Sequence, residues 1–88
     1  MANDNPAGTR AALEAMAADR HPATAQILRH FAWAHLPTHL QAVSMPFSAL
    51  AVWMVETLPD GPEFTAGLRK LLEAKDCAVR ALLYKDPA

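Results

Sequence analysis

The sequence predicts an all-α protein in which two long helices form an antiparallel hairpin, preceded by one or two short helices, and in which the chain is oligomeric. Apolar residues recur every three or four positions along most of the chain, and no useful stretch alternates with a period of two. The segment Leu58–Glu63 contains two prolines, an aspartate and a glycine, which is typical of a tight turn. Two long helices joined by so short a connection form a helical hairpin.

The length of the chain, 88 residues, limits it to one small fold. We place an N-terminal tail and short helix at residues 1–26 and the helical-hairpin domain at residues 27–88. A chain this short buries only about 60% of its unfolded surface, so a lone monomer is marginally stable. Yet 52% of its residues are hydrophobic and only 19% are charged. This excess of apolar surface predicts a homo-oligomer or a tightly held partner.

Two short helices are predicted before the hairpin. Thr9 can cap a helix that runs to Arg20. The His21-Pro22 pair ends this helix, because the residue before a proline leaves the α region. The next helix is predicted over residues 23–34, where the large apolar residues recur at helical spacing.

The first hairpin helix is predicted to begin at a capping box, with Thr38 at the cap and Gln41 three residues later, and to end near Leu58. Pro46 lies inside it and predicts a kink, or a restart after Ser44, because an interior proline removes one helical hydrogen bond. The predicted core stripe of this helix consists of Leu40, Val43, Phe47, Leu50, Met54 and Leu58.

The second hairpin helix is predicted from a cap at Asp60 to about Tyr84, with Pro62 in its first turn and Glu63 at its third position. Lys75 falls within the apolar stripe of this helix. Either its stem covers apolar surface with the ammonium in water, or it pairs with an acid or a ligand phosphate at an interface. A separate stripe, whose spacing favours opposite-charge pairs four residues apart, consists of Arg69, Glu73, Asp76 and Arg80.

The first hairpin helix is apolar on nearly every side, more than pairing with one neighbour requires. Residues that point away from its core stripe are Met45, Ala49, Val52 and Trp53. Between residues 30 and 59 the only formal charge, histidines aside, is Glu56. A helix of this kind is normally buried all round. Two arrangements would bury it: a subunit interface, or a monomer in which the N-terminal helices wrap the hairpin.

Charge and hydropathy exclude several classes of partner. Eight Lys and Arg residues against nine Asp and Glu give a net charge of −1, which argues against binding to duplex nucleic acid. The N-terminus has no apolar segment of a secretory signal, and the apolar stretch Phe47–Val55 is too short for a transmembrane helix. We therefore expect a cytoplasmic protein with no membrane partner.

Sequence signatures of catalysis and of metal binding are missing. The single cysteine, Cys77, excludes an internal disulfide and a cysteine-based metal site. His35 and His39 are four residues apart, but a proline and a predicted helix cap lie between them. No GxSxG, HExxH, P-loop or DxD pattern is present. We therefore expect no enzyme activity, no catalytic residue, no cofactor and no metal.

An ordered set of single positions over residues 27–84 resembles the helical-hairpin domain of small phage anti-defence proteins, the anti-CBASS and anti-Thoeris sponges. The positions that carry the resemblance are Phe31, Trp33, His35, Pro37, Gln41, Ser44, Phe47, Leu50, Ala51, Leu58, Pro59, Pro62, Glu63, Gly67, Leu68, Arg69, Leu72–Asp76 and Val79–Ala81.

The resemblance implies a function without catalysis. Sponges of this family are homo-oligomers, often hexamers built from dimers. They bind cyclic dinucleotides, cyclic trinucleotides or cyclic ADP-ribose isomers between subunits, and hold the uncleaved ligand away from the host effector. By this resemblance the chain is expected to sequester a cyclic nucleotide, as a dimer or hexamer, in the cytoplasm of an infected bacterial cell.

Seven residues are predicted to bind this ligand. Phe31 and Trp33 flank a proline-containing bend and are expected to stack on a base, although aromatic side chains at a bend also close helix–helix corners. His35 and His39 can donate hydrogen bonds to phosphate or base edges. Phosphate contacts are expected from Arg69, Lys75 and Arg80, because charge-assisted hydrogen bonds are strong.

The chain departs from some sponges, which place a lysine and a threonine in the first hairpin helix to meet phosphates. Here no Lys or Arg lies between Arg29 and Arg69. Phosphate contacts must therefore come from the last helix, from Arg29 or from the N-terminal segment. Two other functions fit the same sequence: a small oligomeric protein-interaction module with no nucleotide ligand, and a structural oligomer that binds nothing.

Overall fold

Four α-helices and two short 3₁₀ turns make up the fold, in a computed structural model that describes residues 6–84. The predicted tail up to residue 5, and residues 85–88, lie outside the described range. No strand occurs within residues 6–84, which confirms the all-α class. In chain order the elements are a 3₁₀ turn Pro6–Gly8, α1 (Arg10–Met16), α2 (Pro22–Leu28), a 3₁₀ turn Arg29–Phe31, α3 (Thr38–Thr57) and α4 (Pro62–Leu83).

Helix α1 begins at the predicted cap but is shorter than predicted. The Thr9 hydroxyl oxygen accepts a hydrogen bond from the Ala12 N–H at 3.1 Å, which confirms the cap. The helix ends at Met16 rather than Arg20, because the following N–H groups bond three residues back instead of four. The turn up to Arg20 closes with a bond from its N–H to the Ala17 carbonyl.

Helix α2 begins one residue before the predicted start at residue 23. Pro22 is its first residue, and the preceding His21 caps it by accepting a hydrogen bond from the Ala23 N–H on Nδ1 at 3.1 Å. The α-helical geometry ends at Leu28, and a 3₁₀ turn continues to Phe31. The predicted helix over residues 23–34 is therefore three residues too long.

The predicted capping box at the start of α3 is wrong. Pro37 occupies the cap position, Thr38 is the first helical residue, and no side chain bonds a helix N–H there. The Gln41 side-chain amide instead donates to the backbone carbonyls of Ala34 and Leu36, at 3.4 and 3.0 Å. Gln41 therefore secures the bend that precedes α3, which is a different structural role from the one predicted.

Helix α3 runs unbroken through Pro46, so the predicted restart after Ser44 does not occur. Pro46 is an exposed residue, and so is Ala42, whose carbonyl loses its helical donor to the proline. A proline on the exposed side costs less than one in the core, because water replaces the missing hydrogen bond.

The buried face of α3 is rotated away from the predicted stripe. The buried residues are Ser44, Ser48, Ala51 and Val55. The predicted Leu50 is 46% exposed, and the other five members of the predicted stripe are half-buried. Small inward side chains allow close approach of the neighbouring elements, whereas the large residues flank the contact. Hydrophobicity alone assigned the wrong face because three of the four buried residues are small.

The hydrophobic core lies where α1, α2 and the second 3₁₀ turn meet α3 and α4. Its most deeply buried large side chains are Leu13, Leu28, Phe31 and Leu68. Helices α3 and α4 are in direct contact and are joined by residues 58–61. The N-terminal helices do not cover the outer side of α3, since Trp53 there is 52% exposed.

Arg20 joins the turn after α1 to the connection between α3 and α4. Its guanidinium donates hydrogen bonds to the carbonyls of Val55 and Leu58 and pairs with the Asp60 carboxylate at 2.6 Å. It also lies over the Phe64 ring, with Cζ 4.7 Å from the centroid. Carbonyls in the last helical turn lack intrahelical donors and carry the negative end of the helix dipole, so a cation stabilises them. Arg20 therefore caps α3 and holds the start of α4.

Gly8 allows the first 3₁₀ turn to contact Trp33 at close range. The N–H groups of Trp33 and Ala34 both donate to the Gly8 carbonyl, at 2.9 and 3.0 Å. A Cβ atom on Gly8 would lie 2.5 Å from Cε2 of the Trp33 indole, far inside van der Waals contact. Glycine is therefore required here by space, and the indole closes over the N-terminal turn.

Replacing Arg20 by Ala is expected to lower the free energy of unfolding by about 2–4 kcal/mol, because two carbonyls lose a charged donor. Arg20→Lys should recover only part of this, since an ammonium cannot make the same fork of bonds. Urea unfolding followed by circular dichroism measures both. Arg69→Ala, at an exposed position of α4, is the matched control and should change stability by less than about 0.5 kcal/mol. Equal stabilities of the two alanine variants would contradict the role given to Arg20.

Two glycine-to-alanine substitutions are expected to have opposite effects. Gly8→Ala should destabilise by about 1–3 kcal/mol, because the new methyl group overlaps the Trp33 ring. Gly67→Ala, inside α4, should stabilise by about 0.5–1 kcal/mol, because its Cβ would meet only the end of the Met54 side chain at 3.4 Å. Thermal unfolding of both variants tests this, and a shift of both midpoints in the same direction would refute it.

Candidate functional site

A cleft of about 320 Å³ opens between α1, the second 3₁₀ turn, the bend after it and the C-terminal half of α4. Ser44 of α3 completes the wall of the cleft. The lining residues are Arg10, Arg29, His30, Ala32, His35, Leu36, Ser44, Lys75, Asp76, Val79 and Arg80. A volume of this size is at the lower end of the range for small-molecule sites.

The residues of α4 reach the cleft because of helical spacing. Lys75, Asp76, Val79 and Arg80 are separated by one, three and one positions, which places them on one side of the helix. The N-terminal contributions come from Arg10, the first residue of α1, and from the 3₁₀ turn that follows α2. The cleft thus joins basic residues from distant parts of the chain.

Positive charge dominates the cleft. Four of the lining residues are Lys or Arg, and Asp76 is the one carboxylate among them. Asp76 lies 3.0 Å from the Lys75 ammonium, whose side chain is only 14% exposed. Within residues 6–84, neither Arg10 nor Arg80 lies within ion-pair distance of a carboxylate. Two arginines therefore remain available for an anion.

Two buried polar atoms at the cleft have no hydrogen-bond partner in the described structure. They are the hydroxyl oxygen of Ser44, a residue that is 1% exposed, and Nε of Arg29. Another nitrogen of the Arg29 guanidinium lies 3.6 Å from the Glu14 carboxylate. Buried polar groups are nearly always hydrogen-bonded, and an unpaired one costs about 1–3 kcal/mol. Both atoms therefore lower the stability of the folded chain.

Three of the seven predicted ligand-binding residues line the cleft: His35, Lys75 and Arg80. The structure does not bring the other four to it. His39 is exposed at the start of α3, and Arg69 is exposed in the N-terminal half of α4.

The two aromatic residues have other roles in this chain. Phe31 is fully buried in the core, so its ring is not available to stack on a base. Trp33 is half-buried and packs on Gly8. Both aromatic residues therefore close the corner between the N-terminal helices and α3, the other explanation that their position at a bend allows.

The ion pairs predicted along α4 are not those observed. Spacing favoured Arg69 with Glu73 and Asp76 with Arg80, yet in the described range Asp76 contacts Lys75. The Arg80 guanidinium instead donates to Sγ of Cys77 at 3.4 Å, a weak interaction. The Arg80 side chain thus faces the cleft without a competing carboxylate.

Eight lining residues were not named in the predicted site, and five of these are polar or charged: Arg10, Arg29, His30, Ser44 and Asp76. A partial signal for these residues was present in the sequence, because the absence of basic residues in the first hairpin helix pointed to Arg29 and the N-terminal segment. No local pattern marks Ser44, whose importance arises from burial. Arg10 reaches the cleft only through the packing of α1, which sequence spacing does not encode.

Residues 6–84 contain neither a cluster of metal-binding side chains nor a membrane-spanning helix. This part of the chain contains no group of three or more His, Cys, Asp or Glu side chains that could hold a metal ion. None of its helices combines the length and the apolar composition needed to cross a membrane.

Comparison with known proteins gives no relative from which a function could be transferred. The chain matches no protein-family model, no curated protein and no solved structure. The geometry and charge of the cleft are therefore the basis for proposing a function.

Replacing Ser44 by Ala is expected to raise the free energy of unfolding of the ligand-free protein by about 1 kcal/mol, because the change removes a buried unpaired hydroxyl. The same substitution should leave ligand binding nearly unchanged, because the buried hydroxyl oxygen has almost no surface open to the cleft. Denaturant unfolding without added ligand measures the first effect. Destabilisation by more than about 1 kcal/mol would show that the hydroxyl already has a partner within the protein.

Proposed function

We propose that the protein binds and sequesters a small phosphate-bearing ligand, a cyclic nucleotide signal, without cleaving it. The candidate ligands are cyclic dinucleotides, cyclic trinucleotides and cyclic ADP-ribose isomers. The observation that carries the proposal is the cleft that Arg10 and Arg80, neither of them in an ion pair within residues 6–84, line together with Arg29 and Lys75.

Phosphate is the chemistry that these groups match. A guanidinium presents a planar fork of N–H donors that fits two oxygens of one phosphate, and it is always charged. The Lys75 ammonium adds a point charge, already balanced in part by Asp76. A phosphodiester supplies several acceptor oxygens close together, which can receive hydrogen bonds from more than one of the cations that line the cleft.

Sequestration needs affinity and no reaction step. The groups at the cleft are mainly donors and cations, and the one carboxylate among its lining residues, Asp76, is engaged by Lys75. Such a set stabilises a bound anion in its ground state. We therefore assign binding roles to Arg10, Arg29 and Arg80, and no catalytic role to any residue.

The biological setting follows from the sequence resemblance to phage anti-defence sponges. In this proposal the protein acts in the cytoplasm of an infected bacterial cell and withholds an immune signal from its effector. Helices α3 and α4 form the antiparallel hairpin, and the chain works as a homo-oligomer. No part of this setting depends on duplex nucleic acid or on a membrane.

A second candidate function is a protein-interaction module with no nucleotide ligand. It is favoured by the exposed apolar side of α3, which includes Met45, Leu50 and Trp53. This candidate accounts for the exposed apolar side of α3 but not for the positive charge of the cleft. The two functions differ in whether a nucleotide binds to the purified chain.

Native mass spectrometry with a panel of cyclic di-, tri- and ADP-ribose-type nucleotides is expected to show a fixed stoichiometry of bound ligand. The ligand should be released unaltered when the protein is denatured. Failure of every panel member to bind would reject the cyclic-nucleotide proposal and favour the interaction module.

For the ligand that binds, Arg80→Ala should raise the dissociation constant by about 10- to 100-fold, the loss of one charge-assisted contact. Arg69→Ala is the matched control on the same helix, outside the cleft, and should change it less than about twofold. Calorimetric titration of both variants measures this. Equal losses from the two substitutions would place the ligand elsewhere.

A further inference from the structure

We propose that the exposed side of α3 is the contact surface for a second copy of this chain, with the two α3 helices antiparallel and Ala49 at the two-fold axis. This inference deepens only the self-association part of the proposed function, and the ligand cleft does not enter it. We call the surface the outer α3 face and define it as Ala42, Met45, Pro46, Ala49, Leu50 and Trp53, all of them exposed.

The outer α3 face is continuous and lies opposite the buried face of the helix. Ala42, Ala49 and Trp53 follow one another at spacings of seven and four, so they share one side of the helix. By the same helical geometry, Ser44 and Ser48 lie on the reverse side, toward the core. A contact on the outer face therefore leaves the ligand cleft open.

The amount of apolar surface on this face is unusual for a monomer. Trp53 alone, at 52% exposure, leaves on the order of 100 Å² of its side chain in water. Leu50 and Met45, at 46% and 41% exposure, extend the same patch. Monomers rarely expose large contiguous apolar patches, and such patches mark contact sites.

The pattern of residues on the face is self-complementary about Ala49. Met45 lies four residues before Ala49, and Trp53 lies four residues after it. In an antiparallel pair with Ala49 on the axis, Met45 therefore faces Trp53 of the partner subunit, and the two-fold axis repeats this contact on its other side. A thioether against an aromatic ring is a favourable contact, and alanine at the axis permits close approach of the two backbones. A two-fold interface requires this kind of self-matching surface.

The charged and polar groups at the two ends of the face favour antiparallel over parallel pairing with a second copy. The outer α3 face carries no formal charge, so two copies meet without repulsion. His39 lies just before the face and Glu56 just after it, and both are exposed. Antiparallel pairing brings Glu56 to the end of the partner's helix that carries His39, where an imidazole N–H can donate to the carboxylate. Parallel pairing would instead place the two Glu56 carboxylates together.

The test is the mass of the full chain by light scattering at tens of micromolar. The wild-type protein should have an even multiple of the 9.5 kDa monomer mass, and Ala49→Arg should have half of that mass. Two arginines on the axis repel, which should raise the dissociation constant at least about 100-fold. Ala74→Arg, the same change at an exposed alanine of α4, is the control and should keep the wild-type mass. Circular dichroism of both variants confirms that they fold.

A cysteine at the axis tests the register. In a Cys77→Ala chain, Ala49→Cys should form a covalent dimer on mild oxidation, because a residue on the axis faces its own copy. Ala74→Cys in the same background should not. A monomeric wild-type chain would overturn the inference together with the proposed self-association. An oligomer unaffected by Ala49→Arg would overturn only the assignment of the outer α3 face, and neither result bears on ligand binding, which the cleft variants measure separately.

Discussion

The contacts of the Arg20 guanidinium are the constraint on which the arrangement of the helices depends. This one group satisfies carbonyls at the end of α3, pairs with Asp60 and covers the Phe64 ring at the start of α4. The N-terminal helices thereby hold the α3–α4 connection from outside. A chain of this size buries too little surface to rely on its core alone, so a half-buried cation with several partners has a large share in specifying the fold. The exposed partner, Asp60, contributes least, because water screens it.

The packing of the N-terminal helices against α4 brings basic residues from both ends of the chain to one cleft. Arg10 and Arg29 come from the first third of the chain, whereas Lys75 and Arg80 come from its end. Clustered positive charges repel one another and lower the stability of the folded chain. Their meeting at one cleft is a cost in stability that a bound anion would offset. The opposite side of α3 has the contrary character, apolar and uncharged, so one helix separates two surfaces of different chemistry.

The sequence predicted the helices better than it predicted their faces. The cap at Thr9 depends on local chemistry and was predicted correctly. Helix α2 begins at Pro22, one residue before the predicted start, with His21 as its cap. The core face of α3 was misjudged because small residues form it, and hydrophobicity scales weight Leu50 above Ser44. Likewise the cleft was found only in part: residues on one helix share a face by spacing, whereas Arg10 joins them through tertiary packing. The role of Arg20 was not predicted either, since its partners lie more than thirty residues away.

Amide chemical shifts in a two-dimensional NMR titration test directly whether this cleft receives the phosphates of a small ligand. The protein would be titrated first with pyrophosphate and then with a cyclic dinucleotide. We expect the largest shifts on residues 29–30, 44 and 75–80, with little change at Arg69 and on the outer α3 face. Shifts confined to the outer α3 face, or none at saturating ligand, would contradict this expectation.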